Sequence, residues 1–242
     1  MDKRYIIIAG VNGAGKSTLY SGILSSELQD TKRVNADEIL KEQKGNWQNK
    51  RDQFVAMKET LDRIQYNIKN GISFNHETTL AGKAIMSLIE QAKASGFKVN
   101  MYYVGLDSAD LAVKRVQGRV EKGGHGIPEE VIRARYEASL RTLGEVIPLC
   151  DNVKIFDNTK EFNLVASFEN DKEIYRQKCG WLDKSLGGAD KEQESAKSNA
   201  KEMNAMSMSS WRNAVNSPSR NAGYTGRENS KMQTNEYAGE KE

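Results

Sequence analysis

Residues 5–18 decide the fold, and they read Tyr5-Ile-Ile-Ile-Ala-Gly-Val-Asn-Gly-Ala-Gly-Lys-Ser-Thr18. The first five residues are apolar and mostly β-branched, which predicts a buried strand. Residues 10–17 match the spacing G-x-x-x-x-G-K-[ST] at every fixed position, and Leu19, Ile23 and Leu24 follow at helical spacing. Strand, glycine loop and helix therefore stand in the order that a phosphate-binding loop requires. This context disfavours the alternative of a glycine-rich turn with a chance lysine.

The residue types in this loop suit the phosphates of a nucleotide. Glycines allow the backbone to curl until successive N–H groups point into one concavity, which lies at a helix N-terminus. Lys16 would reach the β- and γ-phosphates of ATP, and the Ser17 hydroxyl would bind Mg²⁺. Ser17 is thus the predicted metal ligand, and the residues predicted to bind ATP are Gly10, Asn12, Gly13, Ala14, Gly15, Lys16, Ser17 and Thr18.

Composition divides the chain into a folded part and a tail. Its 242 residues suffice for one domain with a substantial core. From Gly187 to Glu242, Val215 is the only residue among Leu, Ile, Val and Phe, so this segment cannot bury enough apolar surface to fold. We expect a phosphate-loop domain over residues 1–184 and a disordered, low-complexity tail over residues 185–242.

Charge and cysteine content argue against several function classes. The tail holds eight basic and eight acidic residues, so the net charge of +3 belongs to the folded part and is too small to indicate a nucleic-acid surface. Cys150 and Cys179 lack metal-like spacing and are expected to be reduced thiols. No stretch approaches about 18 apolar residues, which predicts a cytoplasmic protein without a membrane span.

Hydrophobic periodicity predicts the element order β-α-β-α-α-β-α-β-α-α-β. This order is typical of a three-layer α/β/α fold whose central sheet is mostly parallel. The longest helix is predicted over Asn49–Asn70, an edge strand over Phe162–Phe168 and a last helix over Asp171–Leu182. The stripe expected to pack the longest helix against the core is Phe54, Met57, Leu61, Ile64 and Ile68.

Acidic and hydroxyl residues follow the predicted strands, where ligands bind in open parallel sheets. Asp37 lies about one β-α-β unit beyond Lys16. It is either a base that takes a proton from an attacking hydroxyl or a helix cap, and the spacing leaves both open. Glu77-Thr78-Thr79 ends a later strand and would contact substrate. Asp37, Glu77 and Asp157 are all candidates for a carboxylate near Mg²⁺.

Two predicted helices carry arginines and meet at a glycine-rich turn over residues 123–128. Such a hinged pair looks like the mobile lid of a small-molecule kinase, which excludes water and brings cations to the transferring phosphate. The alternative is that these side chains are solvated charges on helix faces. The basic residues of the two helices are Lys114, Arg115, Arg119, Arg133, Arg135 and Arg141.

Four sequence pieces together resemble the zeta-toxin family of P-loop kinases, in particular its short, stand-alone bacterial members. The resemblance covers roughly residues 3–160. It implies a P-loop kinase that phosphorylates a sugar hydroxyl of a nucleotide sugar, UDP-N-acetylglucosamine being the family's best-known substrate. The four pieces are residues 10–18, Val34-Asn35-Ala36-Asp37, Glu77-Thr78-Thr79, and Arg119-Val-Glu-Lys-Gly-Gly-His-Gly-Ile-Pro128 running on to Ile132 and Arg135-Tyr136.

The resemblance also implies a role for each matching residue. Lys16 and Ser17 would hold ATP and Mg²⁺. Asp37 would be the base that accepts the proton of the sugar hydroxyl. Glu77 and Thr79 would hold the substrate, and Arg119 would neutralise the transferring phosphoryl group. A partner antitoxin that blocks the ATP site is expected from the same resemblance.

The chain departs from the family's pattern at the lid. The better-known toxins carry a second arginine shortly before the lid proline, whereas this chain has Gly-Gly-His125-Gly there. The candidates for that role are His125, Arg133 and Arg135, of which His125 and Arg135 are assigned to substrate binding. Such a change could alter the rate or the substrate.

Three functions follow from these patterns. The leading one is a cytoplasmic ATP-dependent kinase that acts on a UDP-sugar hydroxyl through Lys16, Asp37 and Arg119. A nucleoside, nucleotide or polynucleotide kinase would use the same phosphate machinery with a different acceptor pocket. A non-catalytic ATP-binding interaction module is favoured by the missing second arginine and disfavoured by the presence of Asp37 and Glu77. Neither a membrane nor a long nucleic acid is expected as a partner.

Overall fold

A central sheet of seven strands organises the computed structural model, which describes residues 2–22, 24–124 and 126–187. The strands are β1 Arg4–Ala9, β2 Lys32–Asn35, β3 Phe74–Thr78, β4 Lys98–Gly105, β5 Asn152–Asp157, β6 Asn163–Glu169 and β7 Lys172–Arg176. The helices are α1 Lys16–Gly22, α2 Ser25–Leu28, α3 Ala36–Glu42, α4 Lys50–Lys69, α5 Ala84–Ala94, α6 Ala109–Glu121, α7 Glu129–Val146 and α8 Gly180–Ser185. The tail beyond Gly187 lies outside the described residues.

The strand order across the sheet is β2-β3-β1-β4-β5-β6-β7. The first five strands are parallel, and β6 and β7 add an antiparallel hairpin at one edge. Within the register, Ile8 of β1 lies beside Glu77 of β3 on one side and Tyr102 of β4 on the other. The carboxyl ends of β1, β2 and β3 therefore meet, and the loops that follow them share one edge of the sheet.

Helices cover both faces of the sheet because alternate side chains of β1 point in opposite directions. Ile6 and Ile8 pack in one buried cluster with residues of α1, α6 and the first half of α7. Tyr5 and Ile7 pack in a second cluster with residues of α3, α4, α5 and α8. The predicted three-layer α/β/α fold with a mostly parallel sheet is confirmed. No helix in the described ranges is long and apolar enough to span a membrane.

The end of the domain differs from the prediction. Residues 163–169 do form a strand, but β7 pairs with it, so β6 is not the edge. The helix predicted over Asp171–Leu182 is wrong up to residue 179, because Lys172–Arg176 form β7 and α8 begins only at Gly180. The reason is the two-residue turn Asn170-Asp171, whose φ angles of 48° and 65° are those of a tight hairpin turn. Asn and Asp tolerate this left-handed conformation better than other non-glycine residues.

The predicted core stripe of α4 is only half right. Ile64 and Ile68 are buried, but Phe54 is 61% and Met57 is 51% exposed. The buried face of the first half of the helix instead carries Ala56 and Thr60, whose hydroxyl donates to the Ala56 carbonyl at 2.7 Å. In this part of α4 the small side chains of Ala56 and Thr60 therefore face the core, and the larger apolar side chains of Phe54 and Met57 face solvent.

Gly10 ends β1 in a conformation that other residues avoid. Its φ is +136°, and an added Cβ would come closer than 3.0 Å to the Val104 carbonyl oxygen of β4. The turn into the phosphate loop thus requires a residue without a side chain at this position.

We expect Gly10→Ala to destabilise the domain by more than about 2 kcal/mol, because it adds a clash with backbone to an unfavourable φ. Gly118→Ala is the matched control, since the helical Gly118 has no atom within 4 Å of an added Cβ. That control should be neutral or stabilising by up to about 1 kcal/mol. Chemical denaturation measures both variants, and equal stability of the two would contradict the prediction.

A buried histidine, His76, lies in the middle of β3. The His76 Nδ1 is 3.1 Å from the hydroxyl of Tyr5, and both side chains lie in the core. Burial lowers the pKa of His76 from 6.5 to about 4. The folded state therefore keeps this imidazole neutral at pH values where the unfolded chain protonates it.

Stability should consequently fall as the pH drops from about 6.5 toward 4, because the unfolded chain binds the extra proton in that window. The His76 contribution to this loss is about 3 kcal/mol for a shift from 6.5 to about 4. Unfolding free energies measured across this range should show a shallower dependence in His76→Gln. An identical slope in the wild type and the variant would rule out His76 as the source.

Candidate active site

The phosphate loop connects β1 to α1 and holds Lys16 at its end. Lys16 Nζ donates to the carbonyl oxygens of Gly10 at 2.9 Å and Val11 at 3.3 Å, and the side chain is buried. Ser17 and Thr18 stand exposed at the start of α1. The loop thus presents a buried cation and accessible hydroxyls at a helix N-terminus, which is the arrangement that binds phosphate.

Burial and several charged side chains determine the pKa of Lys16. Burial lowers the pKa of Lys16, and the negative charges of Glu77 and Asp37 oppose this shift. The positive charges of Arg119 and Arg135 lower it further. Predicted site residues from four separate elements, α3, β3, α6 and α7, therefore interact electrostatically with one ammonium group.

Asp37 lies one residue inside the start of α3 with its side chain exposed. The cap of this helix is Asn35, whose side-chain oxygen accepts from the Asp37 amide at 2.8 Å and the Glu38 amide at 3.3 Å. The interpretation of Asp37 as the helix cap is therefore wrong. Its negative charge instead opposes the lowering of the pKa that burial causes at Lys16 and at Arg135.

Glu77 is the central acceptor of the site. Its Oε2 accepts from Asn35 Nδ2 at 2.9 Å and from Arg33 Nη2 at 3.2 Å. Its Oε1 lies 3.9 Å from Lys16 Nζ, and only 12% of the side chain is exposed. The carboxylate thus joins the end of β2 to the phosphate loop.

The two threonines after Glu77 have different positions. Thr78 Oγ1 accepts from the Leu80 amide at 3.1 Å, and Leu80 adopts a left-handed φ of 57°. Thr78 therefore stabilises the turn that leaves β3. Thr79 is half-buried one residue past the strand, at the same edge as Glu77.

Arg135 is the arginine of α7 that reaches the phosphate loop. Its Nη1 donates to Asn12 Oδ1 at 3.0 Å. Burial lowers the pKa of Arg135, and the charge of Asp37 opposes this shift. Arg133 points elsewhere, because its guanidinium pairs with Asp110 at 2.6 Å and Glu129 at 2.8 Å on the surface. Arg119 lies in the last turn of α6, and His125 is outside the described residues.

The lid turn packs against the loop that precedes α4. An added Cβ at Gly126 would lie 3.0 Å from the ring of Trp47 and 3.2 Å from the Val120 side chain. The turn between α6 and α7 therefore extends to the side of the site on which α3 and α4 lie. Sequence reasoning did not identify Trp47, since no motif marks it.

The loop after β5 lies against the phosphate loop through contacts that no sequence motif marks. Asn158 Nδ2 donates to the Ala14 carbonyl at 2.8 Å. Arg115 Nη2 fixes this loop by donating to the carbonyls of Asn158 at 2.8 Å and Thr159 at 3.2 Å. Asp157 accepts from Trp181 Nε1 at 2.9 Å, so this carboxylate serves the packing of α8.

The oxygen atoms of the site suit a Mg²⁺ ion that is bound mainly by the phosphates of a nucleotide. Among the described residues no cluster of three His, Cys, Asp or Glu side chains could hold a metal by itself. Mg²⁺ in phosphoryl-transfer sites is typically held by one or two protein oxygens together with the substrate phosphates. The exposed Ser17 hydroxyl at the start of α1 is such an oxygen, and the carboxylates of Asp37 and Glu77 lie at the same edge of the sheet.

Together, the fold and this loop define a P-loop nucleotide-binding protein. The family model described as AAA domain matches residues 6–145, which is more than half of the chain. The chain therefore belongs to the AAA domain family. A Haemophilus influenzae protein, described only as uncharacterized, is 33% identical over 137 residues, which are 56% of this chain and 94% of that protein.

Two solved structures share the fold. The AvrRxo1-ORF1:-ORF2 complex with ATP aligns with a TM-score of 0.60 and 16% identity, covering 88% of this chain and 76% of that chain. The structure from the PezAT chromosomal toxin–antitoxin system of Streptococcus pneumoniae aligns with a TM-score of 0.55 and 14% identity, covering 88% and 87%. These matches confirm the kinase-like P-loop fold and the resemblance to the zeta-toxin family at the level of the fold.

We expect Arg135→Gln to weaken binding of a non-hydrolysable ATP analogue about tenfold, because the variant loses a charged hydrogen bond to the phosphate loop. Arg133→Gln is the matched control, since it removes the same charge from the same helix but from a surface ion pair. Its affinity should stay within about twofold of the wild type. Isothermal titration calorimetry measures both, and equal losses would contradict the assignment of Arg135.

Proposed function

We propose that the protein is an ATP-dependent kinase that transfers the γ-phosphoryl group of ATP to a hydroxyl of a small molecule. The observation that carries this proposal is the environment of Lys16, whose Nζ lies 3.9 Å from Glu77 Oε1 in a loop that Arg135 contacts through Asn12 at 3.0 Å. Phosphoryl transfer needs cations that stabilise charge on the phosphate and a base for the attacking hydroxyl. Lys16, Arg119 and Arg135 are the proposed cations, and Asp37 is the proposed base.

Each residue has a role in this proposal. Lys16 holds the β- and γ-phosphates, and Arg119 and Arg135 balance the charge that develops on the transferring group. Asp37, which is exposed at the start of α3, accepts the proton of the attacking hydroxyl. Mg²⁺ bound with ATP would supply further charge neutralisation, with Ser17 as its protein ligand.

The acceptor proposed for this kinase is a UDP-sugar such as UDP-N-acetylglucosamine. This choice rests on the zeta-toxin resemblance and on the fold shared with the structure from the PezAT toxin–antitoxin system. Glu77 and Thr79 would bind the acceptor at the end of β3, with His125 as a further contact from the lid turn. By the same reasoning the protein would be the toxin of a pair, with an antitoxin covering its ATP site in the cytoplasm.

Asp37→Asn should lower the turnover number at least about 100-fold while leaving the KM for ATP within about twofold, because it removes the base but keeps every residue of the phosphate loop. Asp62→Asn is the matched control, since Asp62 is an exposed carboxylate on α4. The assay incubates the protein with Mg-ATP and UDP-sugars, nucleosides and mononucleotides, and reads added phosphate by mass spectrometry. Lys16→Ala should abolish every product.

The acceptor panel separates the candidate functions. A phosphorylated UDP-sugar supports the proposal, and phosphate on a nucleoside or nucleotide keeps the mechanism but changes the substrate. ATP binding without any product would contradict the kinase proposal and favour a nucleotide-binding interaction module.

A further inference from the structure

Asn35 connects two residues to which the proposed function gives different roles. Its side-chain oxygen accepts from the backbone amides of Asp37 at 2.8 Å and Glu38 at 3.3 Å. Its side-chain nitrogen donates to Glu77 Oε2 at 2.9 Å. With only 8% of the residue exposed, the amide has little freedom to rotate away from either partner. One planar group thus links the base-bearing turn of α3 to the carboxylate at the end of β3.

Arg33 adds a second contact to the same carboxylate oxygen. Its Nη2 donates to Glu77 Oε2 at 3.2 Å, while its Nε donates to both oxygens of Glu38 at 2.7 and 2.8 Å. The guanidinium also stacks on the ring of Tyr20 in α1, with its central carbon 3.6 Å from the ring centroid. Arg33 is therefore held between α1 and α3 in an orientation that suits Glu77.

These contacts leave the two oxygens of Glu77 in different states. Oε2 has two donors, and Oε1 faces Lys16 Nζ at 3.9 Å, beyond hydrogen-bonding distance. Because the carboxylate is planar, the two hydrogen bonds that hold Oε2 also fix the direction in which Oε1 points. Oε1 is thus the oxygen that an acceptor hydroxyl would meet between β3 and the phosphate loop.

We propose that Asn35 and Arg33 are positioning residues that hold Glu77 and Asp37 in a fixed relation, so that acceptor binding and proton removal occur at the same hydroxyl. The kinetic part of this inference rests on the proposed kinase function. The structural part, a coupling between Asn35 and Glu77, does not depend on it.

The first experiment reverses the polarity of the Asn35–Glu77 hydrogen bond. Asn35→Asp keeps an oxygen that can cap α3 but places a second carboxylate against Glu77. We expect this variant to lower the melting temperature by about 4 °C. The N35D/E77Q double variant restores one donor and one acceptor, and it should recover at least half of that loss. If the melting temperature of the double variant instead falls by the sum of the losses in the two single variants, the coupling is overturned.

The second experiment measures kinetics on an acceptor that the wild-type protein phosphorylates. Asn35→Asp should raise the KM for the acceptor about tenfold and leave the KM for ATP within about twofold. In the Glu77→Gln background the same change should have no further effect on the acceptor KM, because Asn35 acts through Glu77. An unchanged acceptor KM in Asn35→Asp, or equal effects in both backgrounds, would overturn the positioning role.

Arg33 is tested against a matched arginine. Arg33→Gln should raise the acceptor KM in the same way as Asn35→Asp. Arg63→Gln is the control, because Arg63 also pairs with two glutamates, Glu59 and Glu42, but at the surface of α4. Equal effects of the two variants would exclude a specific role for Arg33.

The two experiments also separate this inference from the proposed function. A wild-type protein that phosphorylates no acceptor defeats the kinase proposal, and the melting-temperature cycle still decides the coupling. A coupled cycle together with an unchanged acceptor KM leaves the kinase proposal intact and overturns the positioning role.

Discussion

The buried positive charge of Lys16 is the constraint on which the site depends. Removing an ammonium group from water is costly, and burial accordingly lowers its pKa. Two loop carbonyls and the nearby carboxylate of Glu77 offset this cost. The surrounding residues must therefore balance one another, since Arg119 and Arg135 add positive charge and Asp37 adds negative charge. An entering phosphate group would replace the loop carbonyls as the partner of the lysine.

The strand order explains how distant residues reach this charge. Because β1 lies between β3 and β4 and β2 lies beyond β3, the loops after β1, β2 and β3 open at one edge. Asp37 and Glu77 are 40 positions apart in the chain, yet both act on Lys16. The helices α6 and α7 follow β4, which lies on the other side of β1, and they supply Arg119 and Arg135. The sheet thus fixes where the loops lie, and the charged side chains of the site stand on those loops and on helix ends.

Local patterns predicted much of this arrangement, and tertiary contacts explain the remainder. The phosphate loop, the parallel strands and the positions of Asp37 and Glu77 follow from motif spacing and from the rule that ligands bind at strand ends. The contacts of Arg33, Asn35, Arg115 and Asn158 join segments far apart in sequence, so periodicity carries no sign of them. The hairpin turn at Asn170-Asp171 did have a local signal, because both residue types favour left-handed backbone. Apolar spacing alone misplaced Phe54 and Met57, since small inward residues set the packing angle of α4.

The hairpin also has a consequence for association between molecules. An exposed strand edge carries unpaired backbone groups that can template aggregation with a second chain. In the described part of the chain the sheet ends at β7 on one side and at β2 on the other, and both strands are short. Lys172, Glu173 and Arg176 place charges along β7, and Lys32 does so on β2. These charges therefore oppose the addition of a strand from a second chain at both edges of the sheet.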